Sequence, residues 1–426
     1  MKPATTLTDA GVTTLAPAHV EPAGTWFDQA ACGVFFHWGP YSVAARGEWV
    51  MNRELISVAD YQRNYIDGWN VDQFDADAWM RVAREFGADY IIFTARHHDG
   101  FAMWNSPVNP RNSAVHGPRR DFVAEITAAA HRAGLKVGLY YSIANWAHPD
   151  YPSAGARDWP SDEDWRSPAH RRRFQSYVSA ELSELLGGAY GRIDYLWYDG
   201  HFPANIRDAS WNALARRLQP GILINDRNSP DGDVKICEQS LRADPPKGRW
   251  EACFTLNRNW GFHASDHAYK APLDLLDLLL KIHADKGRLL LNIGPRGDGG
   301  IPDESTRIMR VCGEWIRGHR RILNELETGV FSWNNSALIA RRGHSVLLFF
   351  NTTLPREFCW AETDAILLEA LDFVSGRTIL FRQNGVYIRL FNLDKHCTSG
   401  LLPVVELRFA SKPEPVTPNS TFWIPG

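Results

Sequence analysis

The chain has 426 residues, 44% hydrophobic and 22% charged, which is the composition of a globular protein long enough for a large domain and a smaller one. Its 46 lysines and arginines nearly balance 49 aspartates and glutamates, so the formal charge is −3 and nucleic acid is not an expected partner. The sequence contains no stretch near the roughly 20 apolar residues that a membrane-spanning helix needs, so no membrane partner is expected either.

Residues 1–24 are predicted to form an irregular lead-in. This segment has one lysine and no apolar run of the length found in the core of a signal peptide. Six cysteines are scattered along the chain without a C-x-x-C pair, so neither a structural metal site nor a disulfide scaffold is expected. We therefore expect an intracellular, cytoplasmic protein.

Short apolar runs then alternate with amphipathic stretches. The runs predicted as strands are 33–39, 90–96, 136–142, 193–199, 222–227, 234–238 and 288–294. The stretches with apolar residues at three- and four-residue spacing, predicted as helices, are 75–86, 121–133, 170–186, 209–218 and 273–284. Strands that are apolar on both faces and alternate with helices indicate a parallel sheet covered by helices. Seven or eight such units favour a TIM-like (β/α) barrel over an open, doubly wound sheet. No G-x-G-x-x-G follows the first strand, which argues against dinucleotide binding.

The pattern changes after about residue 330. Strand-like runs at 345–351, 365–371, 385–391 and 404–409 are separated by turn residues, and helical periodicity largely disappears. Short strands at such spacing are typical of a small antiparallel β-sandwich. The predicted organisation is a lead-in (1–24), a catalytic barrel (25–328) and a C-terminal β-sandwich domain (329–426).

The carboxyl ends of the predicted barrel strands carry an unusual density of polar and aromatic residues. In a barrel of this kind, residues that do chemistry lie at those ends. Taken singly, several have a plain structural explanation: Asp199 before a glycine is often a turn residue, and Glu238 could cap a loop. The residues at the predicted strand ends, in chain order, are His37, Arg96, His97, His98, Asp99, Tyr140, Tyr141, Trp197, Tyr198, Asp199, Asn225, Asp226, Arg227, Glu238 and Asn292.

His97 and His98 admit three interpretations: a metal site, two ligand-binding residues, or one core and one ligand-binding residue. Adjacent side chains on a strand point to opposite faces, so the pair is poorly arranged for one metal ion unless the strand has already turned. The sequence also lacks the H-x-H pair usual on a strand of barrel metallohydrolases. Ligand binding is therefore favoured over zinc.

Two carboxylates at the ends of different strands, with histidine, arginine and tryptophan around them, are what a glycosidase needs. One stays ionised and attacks the anomeric carbon, while the other donates a proton to the leaving oxygen. Trp197 shares a strand face with Asp199 under the period-two rule, and an indole there can stack on the apolar side of a sugar ring.

The sequence resembles the α-L-fucosidases, a retaining glycoside hydrolase family of exo-acting enzymes. The resemblance follows family order over roughly residues 25–320, and no motif matches in the C-terminal region. The matching segments are FFHWGPYSV (35–43), EW (48–49), ARHHDGF (95–101), GLYYS (138–142), LWYDG (196–200), INDR (224–227), EQ (238–239), WEACFTLN (250–257), WG (260–261) and LLLNIGPRGDGGIP (289–302).

The resemblance implies that Asp199, in the WYDG strand end, is the nucleophile. Glu238 matches the segment that carries the acid/base residue; Glu251 is the second choice, and Glu48 is a third carboxylate expected in the pocket. Cys237 stands before Glu238 where relatives often have proline or a small residue, and this leaves the carboxylate in place.

The resemblance also implies a set of fucose-binding residues, with Tyr141 as the alternative to Tyr140. No metal and no organic cofactor is implied, and the expected partner is a fucosylated oligosaccharide or glycoconjugate. The residues that match fucose-contacting positions are His37, Glu48, Trp49, His97, His98, Tyr140, Trp197 and Arg227.

Two other functions remain open at this point. One is a carbohydrate-binding protein of the same fold that has lost turnover, against which the presence of both Asp199 and Glu238 argues. The other is a barrel hydrolase of a different kind, such as a metal-dependent one, which the missing H-x-H pair disfavours.

Overall fold

The computed structural model describes residues 24–152, 160–242, 244–327, 329–331, 337–397 and 400–416. Eight parallel strands form its larger sheet. They are β1 (Cys32–Phe36), β2 (Tyr90–Arg96), β3 (Lys136–Ser142), β4 (Tyr195–Asp199), β5 (Leu223–Ile224), β6 (Lys235–Glu238), β7 (Trp250–Thr255) and β8 (Arg288–Ile293). Their spatial order is β5-β4-β3-β2-β1-β8-β7-β6, so the first strand pairs with the last and the sheet curls into a barrel.

The barrel closes between its shortest strands. A parallel bridge joins Asn225 to Val234, and the Val234 amide donates to the Ile224 carbonyl at 3.2 Å. Asn225 also extends the ladder towards β4, because its side chain accepts from the Tyr198 amide (3.0 Å) and donates to the Tyr198 carbonyl (2.8 Å). Gly232 lies so near that a Cβ there would be 2.4 Å from the Asn225 carbonyl oxygen, so this close approach requires glycine.

Helices precede, connect and follow the barrel strands, and the longer ones cover the outside of the barrel. They are α1 (Thr25–Gln29), α2 (Tyr41–Ala44), α3 (Val50–Arg53), α4 (Val58–Tyr61), α5 (Ala76–Phe86), α6 (Phe122–Arg132), α7 (Pro168–Leu186), α8 (Ala209–Leu218), α9 (Pro272–Ala284) and α10 (Asp303–Leu323). The five predicted helices are present as α5 to α9. Aspartate side chains cap α5, α6 and α8 by accepting from a backbone amide in the first turn, which fixes where these helices begin.

The barrel interior is aromatic and closed at its amino-terminal end. Phe27 of α1 packs there against Tyr90 and Tyr195, with ring centroids 5.9 and 6.1 Å apart. Phe35 and Trp197 belong to the same buried interior cluster nearer the opposite end. The described interior is therefore filled at the α1 end, and a pocket lies towards the carboxyl ends of the strands.

Three tryptophans outside the barrel hold the loop that follows β8. The indole N–H groups of Trp38, Trp69 and Trp79 donate to carbonyl oxygens of residues 296–299 at 2.6 to 2.8 Å. All three rings are buried, so each indole gains a polar partner where water is excluded. This loop is thereby fixed to the barrel wall.

Two antiparallel sheets follow the barrel. A four-stranded sheet has the order β12-β15-β10-β9, and a three-stranded sheet has the order β11-β14-β13. The elements are β9 (Ala337–Arg342), β10 (Ser345–Phe350), β11 (Glu357–Trp360), β12 (Leu367–Asp372), β13 (Leu380–Asn384), β14 (Tyr387–Phe391), α11 (Leu393–His396) and β15 (Val404–Phe409).

The four-stranded sheet is buried on both faces. Leu347 and Phe349 of β10 belong to the hydrophobic cluster of the barrel, whereas Leu348 and Phe350 belong to the cluster shared with the three-stranded sheet. On the barrel side, the Trp315 indole of α10 donates to the Leu402 carbonyl at 2.9 Å. This double burial explains the uninterrupted apolar run of β10.

The structure confirms the predicted fold class, a parallel (β/α) barrel followed by a smaller antiparallel β region, and differs in detail. The elements outside the predicted strands and helices are β7, β9, β11, β13, α1 to α4, α10 and α11. The residues described between β5 and β6, and between β6 and β7, contain no helix, so those two connections are not βα units. Within the described ranges no helix is long and apolar enough to cross a bilayer. The domain boundaries stay a prediction, and residues 1–23 of the lead-in lie outside the described residues.

Replacing Asn225 tests the barrel closure. Asn225→Ala removes both bonds to Tyr198 and leaves a buried amide and a buried carbonyl unpaired, so we expect the free energy of unfolding to fall by about 3 kcal/mol. Urea denaturation followed by circular dichroism measures this change. Asn64→Ala, at an exposed position, is the matched control and should cost less than about 0.5 kcal/mol. Equal losses for the two variants would show that this bond pair does not stabilise the closure.

Candidate active site

A pocket of about 300 Å³ opens at the carboxyl ends of the barrel strands. All ten residues that the sequence predicts as catalytic or substrate-binding line it, together with four others. The lining residues are Phe35, His37, Glu48, Trp49, His97, His98, Tyr140, Trp197, Asp199, His201, Phe202, Arg227, Glu238 and Trp260.

Asp199, the last residue of β4, receives several donors in the pocket. The Tyr140 hydroxyl donates to Oδ2 at 2.8 Å, and the Arg227 guanidinium donates to Oδ1. Burial acts to raise the pKa of Asp199, but the charge of Arg227, the nearby His98 and the bonds from Tyr140 and the Gly200 amide outweigh it and hold the pKa well below its usual range. Asp199 is therefore an ionised carboxylate with fixed orientation.

Arg227 joins the two catalytic candidates. One terminal nitrogen of its guanidinium donates to Asp199 and the other donates to Glu238, so the two carboxylates lie within the span of one guanidinium. The guanidinium carbon lies 4.7 Å from the centre of the Trp197 ring, a cation–π contact. The Glu238 side chain is 40% exposed and that of Asp199 is 20% exposed, so Glu238 lies nearer the mouth.

Glu251, the second choice for the acid/base residue, is fully buried in the barrel and does not line the pocket. Its Oε2 accepts from the Tyr90 hydroxyl at 2.5 Å, and its Oε1 accepts from the Trp197 indole at 2.9 Å. Burial raises the pKa of Glu251 to about 7 despite these two donors. The geometry therefore favours Glu238 for contact with a leaving group.

Glu48 is the third carboxylate of the pocket, as expected. It lies in the connection between α2 and α3, and its Oε2 accepts from the Gly261 amide at 2.8 Å. Burial raises the pKa of Glu48, against the effect of this backbone bond. The contact fixes the loop that carries Trp260 against the loop after β1.

His37 has a defined tautomer. The Asn292 amide nitrogen donates to the Trp260 carbonyl at 2.8 Å, so its oxygen is left to accept from His37 Nδ1 at 2.6 Å. Burial lowers the pKa of His37 to about 3. His37 is therefore neutral with the proton on Nδ1, and Nε2 is an acceptor.

His98 is held in the same way by a hydroxyl. Ser142 Oγ donates to the Ala144 carbonyl at 2.8 Å and so accepts from His98 Nδ1 at 2.6 Å. Burial lowers the pKa of His98 to about 4. Its Nε2 lies 3.7 Å from Asp199 Oδ2, and a substrate hydroxyl close to both atoms finds two acceptors.

The rule that adjacent strand residues point to opposite faces does not apply to His97 and His98. Strand β2 ends at Arg96, so the chain has turned before the two histidines, and both line the pocket with ring centroids 4.2 Å apart. His97 stacks on Tyr140 at 5.4 Å between centroids. Among the described residues, no three His, Cys, Asp or Glu side chains are grouped as a metal site requires.

The choice between Tyr140 and Tyr141 follows from the alternation of β3. Tyr140 points into the barrel and reaches Asp199, whereas the Tyr141 hydroxyl donates to Glu181 of α7 at 2.5 Å on the outer face. Arg96 lies over the Tyr141 ring and pairs with Glu181 at 3.2 Å, forming a buried ion pair behind the pocket. Tyr141 is therefore a packing residue of the helix layer.

Four lining residues are absent from the predicted set: Phe35, His201, Phe202 and Trp260. Phe35 precedes His37 by two positions on β1, so strand alternation could have identified it. His201 and Phe202 follow directly on the Asp199-Gly200 turn. Trp260 lies in the long connection after β7, where periodicity carries no signal.

The chain is similar to known proteins over most of its length. The α-L-fucosidase family model matches residues 9–320. Human plasma α-L-fucosidase is 30% identical over 341 residues, which cover 71% of this chain and 69% of that protein. The structure of α-L-fucosidase isoenzyme 1 from Paenibacillus thiaminolyticus superposes with a TM-score of 0.82 at 29% identity, covering 92% of this chain and 99% of that one.

A further solved structure shares the fold at lower identity. A trapped covalent intermediate of a GH29 α-L-fucosidase from Bacteroides thetaiotaomicron has a TM-score of 0.77 at 23% identity. It covers 93% of this chain and 98% of that one, so the likeness extends over both the barrel and the C-terminal sheets.

The histidine tautomers give a testable expectation. Because burial lowers the pKa of His37 to about 3 and of His98 to about 4, both rings should stay neutral and Nδ1-protonated from pH 5 to 8, as ¹⁵N NMR can show. Unfolded imidazoles bind protons near pH 6.5, so stability should fall as the pH drops from about 6.5 towards 4. Asn292→Asp places a carboxylate on His37 Nδ1 and should raise its pKa. Titration of wild-type His37 near 6.5 would contradict this assignment.

Proposed function

The chain belongs to the α-L-fucosidase family of glycoside hydrolases, and we propose that it is an exo-acting enzyme that releases terminal α-L-fucose from fucosylated glycans or glycosides with retention of configuration. The observation that carries the proposal is the contact of one guanidinium, that of Arg227, with both Asp199 and Glu238. Retaining enzymes need their two carboxyl groups about 5–5.5 Å apart, and a pair bridged by one guanidinium suits that short spacing.

Asp199 is the nucleophile of the proposed reaction. Its lowered pKa keeps the carboxylate ionised, and the Tyr140 hydroxyl holds Oδ2. A carboxylate oxygen attacks the anomeric carbon while the bond to the leaving oxygen breaks, and the product is a fucosyl ester of Asp199. The trapped covalent intermediate of the Bacteroides thetaiotaomicron relative supports this route.

Glu238 is the proposed acid/base residue. Its 40% exposed side chain lies at the mouth, where a leaving oxygen departs, and a proton from Glu238 passes to that oxygen as the glycosidic bond breaks. Glu238 then accepts a proton from the water that attacks the ester carbon, which releases fucose and restores Asp199. Glu238 contacts Arg227, so in the proposed reaction it exchanges this partner for the leaving oxygen of the substrate.

The remaining lining residues fit one small sugar. Nε2 of His37 and of His98 are acceptors for ring hydroxyls, because each histidine donates from Nδ1 to a fixed partner. Phe35 packs against Trp197 and Trp260, with centroids 5.2 and 6.0 Å apart, and gives the pocket an apolar wall suited to the C6 methyl group of a 6-deoxy sugar. A filled barrel below the pocket restricts binding to a chain end, as an exo-acting enzyme requires. A cytoplasmic location stays a prediction of the sequence.

Hydrolysis of p-nitrophenyl α-L-fucoside with azide rescue tests the two roles. Asp199→Ala should lose most of kcat and, with azide, should yield the inverted fucosyl azide, because azide takes the place of the missing nucleophile. Glu238→Ala should yield the retained azide, because the fucosyl ester still forms on this activated aglycone. ¹H NMR of the products assigns their configuration.

Two controls complete this experiment. Glu251→Ala should give no azide adduct, since Glu251 does not line the pocket. If Glu238→Ala keeps wild-type activity and Glu251→Ala gives the retained azide, the acid/base assignment moves to Glu251. If the wild-type protein binds fucosylated oligosaccharides but cleaves neither them nor the aryl fucoside, the chain is instead a carbohydrate-binding protein without turnover.

A further inference from the structure

Glu251 is a buried carboxyl group for which the proposed reaction has no use. It lies on β7 in the barrel interior, and both of its oxygens accept hydrogen bonds, from Tyr90 on β2 and from Trp197 on β4. Burying a carboxyl group is costly even when it is hydrogen-bonded, and an apolar side chain would fill a barrel interior at lower cost. The position of Glu251 therefore calls for a specific role.

Trp197 links Glu251 to the pocket. Its indole N–H donates to Glu251 Oε1, while its ring lies 5.6 Å from the Tyr140 ring at an interplanar angle of 22°. The guanidinium carbon of Arg227 lies 4.7 Å from the centre of the same Trp197 ring. Tyr140 and Arg227 are the two side chains that donate hydrogen bonds to Asp199.

We propose that Glu251 is a positioning residue that acts through Trp197: by fixing the indole, it holds Tyr140 and Arg227 on Asp199. This inference rests on the proposed function, because the orientation of Asp199 matters only if Asp199 attacks the sugar. Glu251 touches neither the pocket nor a substrate within it. Its contribution is therefore to kcat, since misplacement of a nucleophile by a fraction of an ångström weakens the transition state more than the ground state.

The strength of the hydrogen bond from the Trp197 indole to Glu251 depends on the charge of Glu251. Burial raises its pKa to about 7, against the bonds from Tyr90 and Trp197, the nearby Tyr195 hydroxyl and the charge of Arg227. The Cys253 thiol on the same strand is a further titratable group near it. Hydrogen bonds to an ionised acceptor are roughly twice as strong as neutral ones, so the indole is held more firmly above pH 7 than below it.

Steady-state kinetics of Glu251→Gln on p-nitrophenyl α-L-fucoside test the inference. Glutamine fills the same space and still accepts from the indole, but it carries no charge at any pH. We expect kcat to fall roughly tenfold at pH 8 and only about twofold at pH 5.5, with KM within about twofold of wild type.

Glu184→Gln is the matched control. Glu184 accepts from the Trp104 indole at 2.8 Å outside the barrel, so its replacement removes the charge from the same kind of hydrogen bond away from the pocket. Its kcat should equal that of wild type at both pH values. A Glu251→Gln variant that loses no more kcat than Glu184→Gln would overturn the proposal.

A double-mutant cycle shows whether Glu251 acts through Trp197. In a Trp197→Phe background the indole N–H is gone, so Glu251→Gln should change kcat by less than about twofold. A full tenfold loss in that background would mean that Glu251 affects catalysis by another route, and the proposal would fail.

An NMR titration of the wild type separates this inference from the proposed function. The Trp197 indole resonance, identified by its loss in Trp197→Phe, should shift with a midpoint near pH 7, and the shift should be absent in Glu251→Gln. If the wild type hydrolyses no fucoside, the proposed function fails while this shift still reports the Glu251–Trp197 bond. If no shift occurs in an active enzyme, the positioning role is wrong.

Discussion

The ion bridge made by Arg227 is the interaction on which the pocket depends. Among the described residues that line the pocket, Arg227 is the only lysine or arginine, and it lies between the carboxyl groups of Asp199 and Glu238. Its charge lowers the pKa of Asp199, and its second contact holds Glu238 beside that carboxylate. The guanidinium is planar and has donors on two sides, so it can serve both carboxylates where a lysine ammonium could not do so with the same geometry.

The aromatic content of the chain serves two separate purposes. Trp197 and Trp260 form part of the pocket and its supporting interior, whereas Trp38, Trp69 and Trp79 pack outside the barrel and hold the loop after β8. The indole N–H of Trp197 donates to a carboxylate within the barrel, and those of Trp38, Trp69 and Trp79 donate to carbonyl oxygens outside it. Indoles are suited to this because they combine a large apolar surface with one donor.

The sequence predicted the barrel and the residues of the pocket because both depend on order along the chain. Strand ends carry the site, and short motifs such as WYDG place Asp199 and its neighbours there. The sequence did not predict β7, because Glu251 interrupts its apolar pattern with a carboxyl group that only three-dimensional partners make tolerable. The sequence also did not predict that Asn292 and Ser142 hydrogen-bond to His37 and His98, because each contact depends on the distance between two strands. The orientation of His97 and His98 also depends on three-dimensional structure, because the place where β2 ends decides which way both rings point.

The closed amino-terminal end of the barrel restricts the order in which molecules enter and leave the pocket. Phe27 of α1 seals the amino-terminal side, so water, leaving group and sugar share the mouth beside Glu238. In the proposed reaction, the departing glycan leaves through that mouth before a water molecule reaches the fucosyl ester. During this interval, any other alcohol at the mouth occupies the position of that water molecule. A pocket with one opening therefore makes sugar hydroxyls direct competitors of water for the fucosyl group in the proposed reaction.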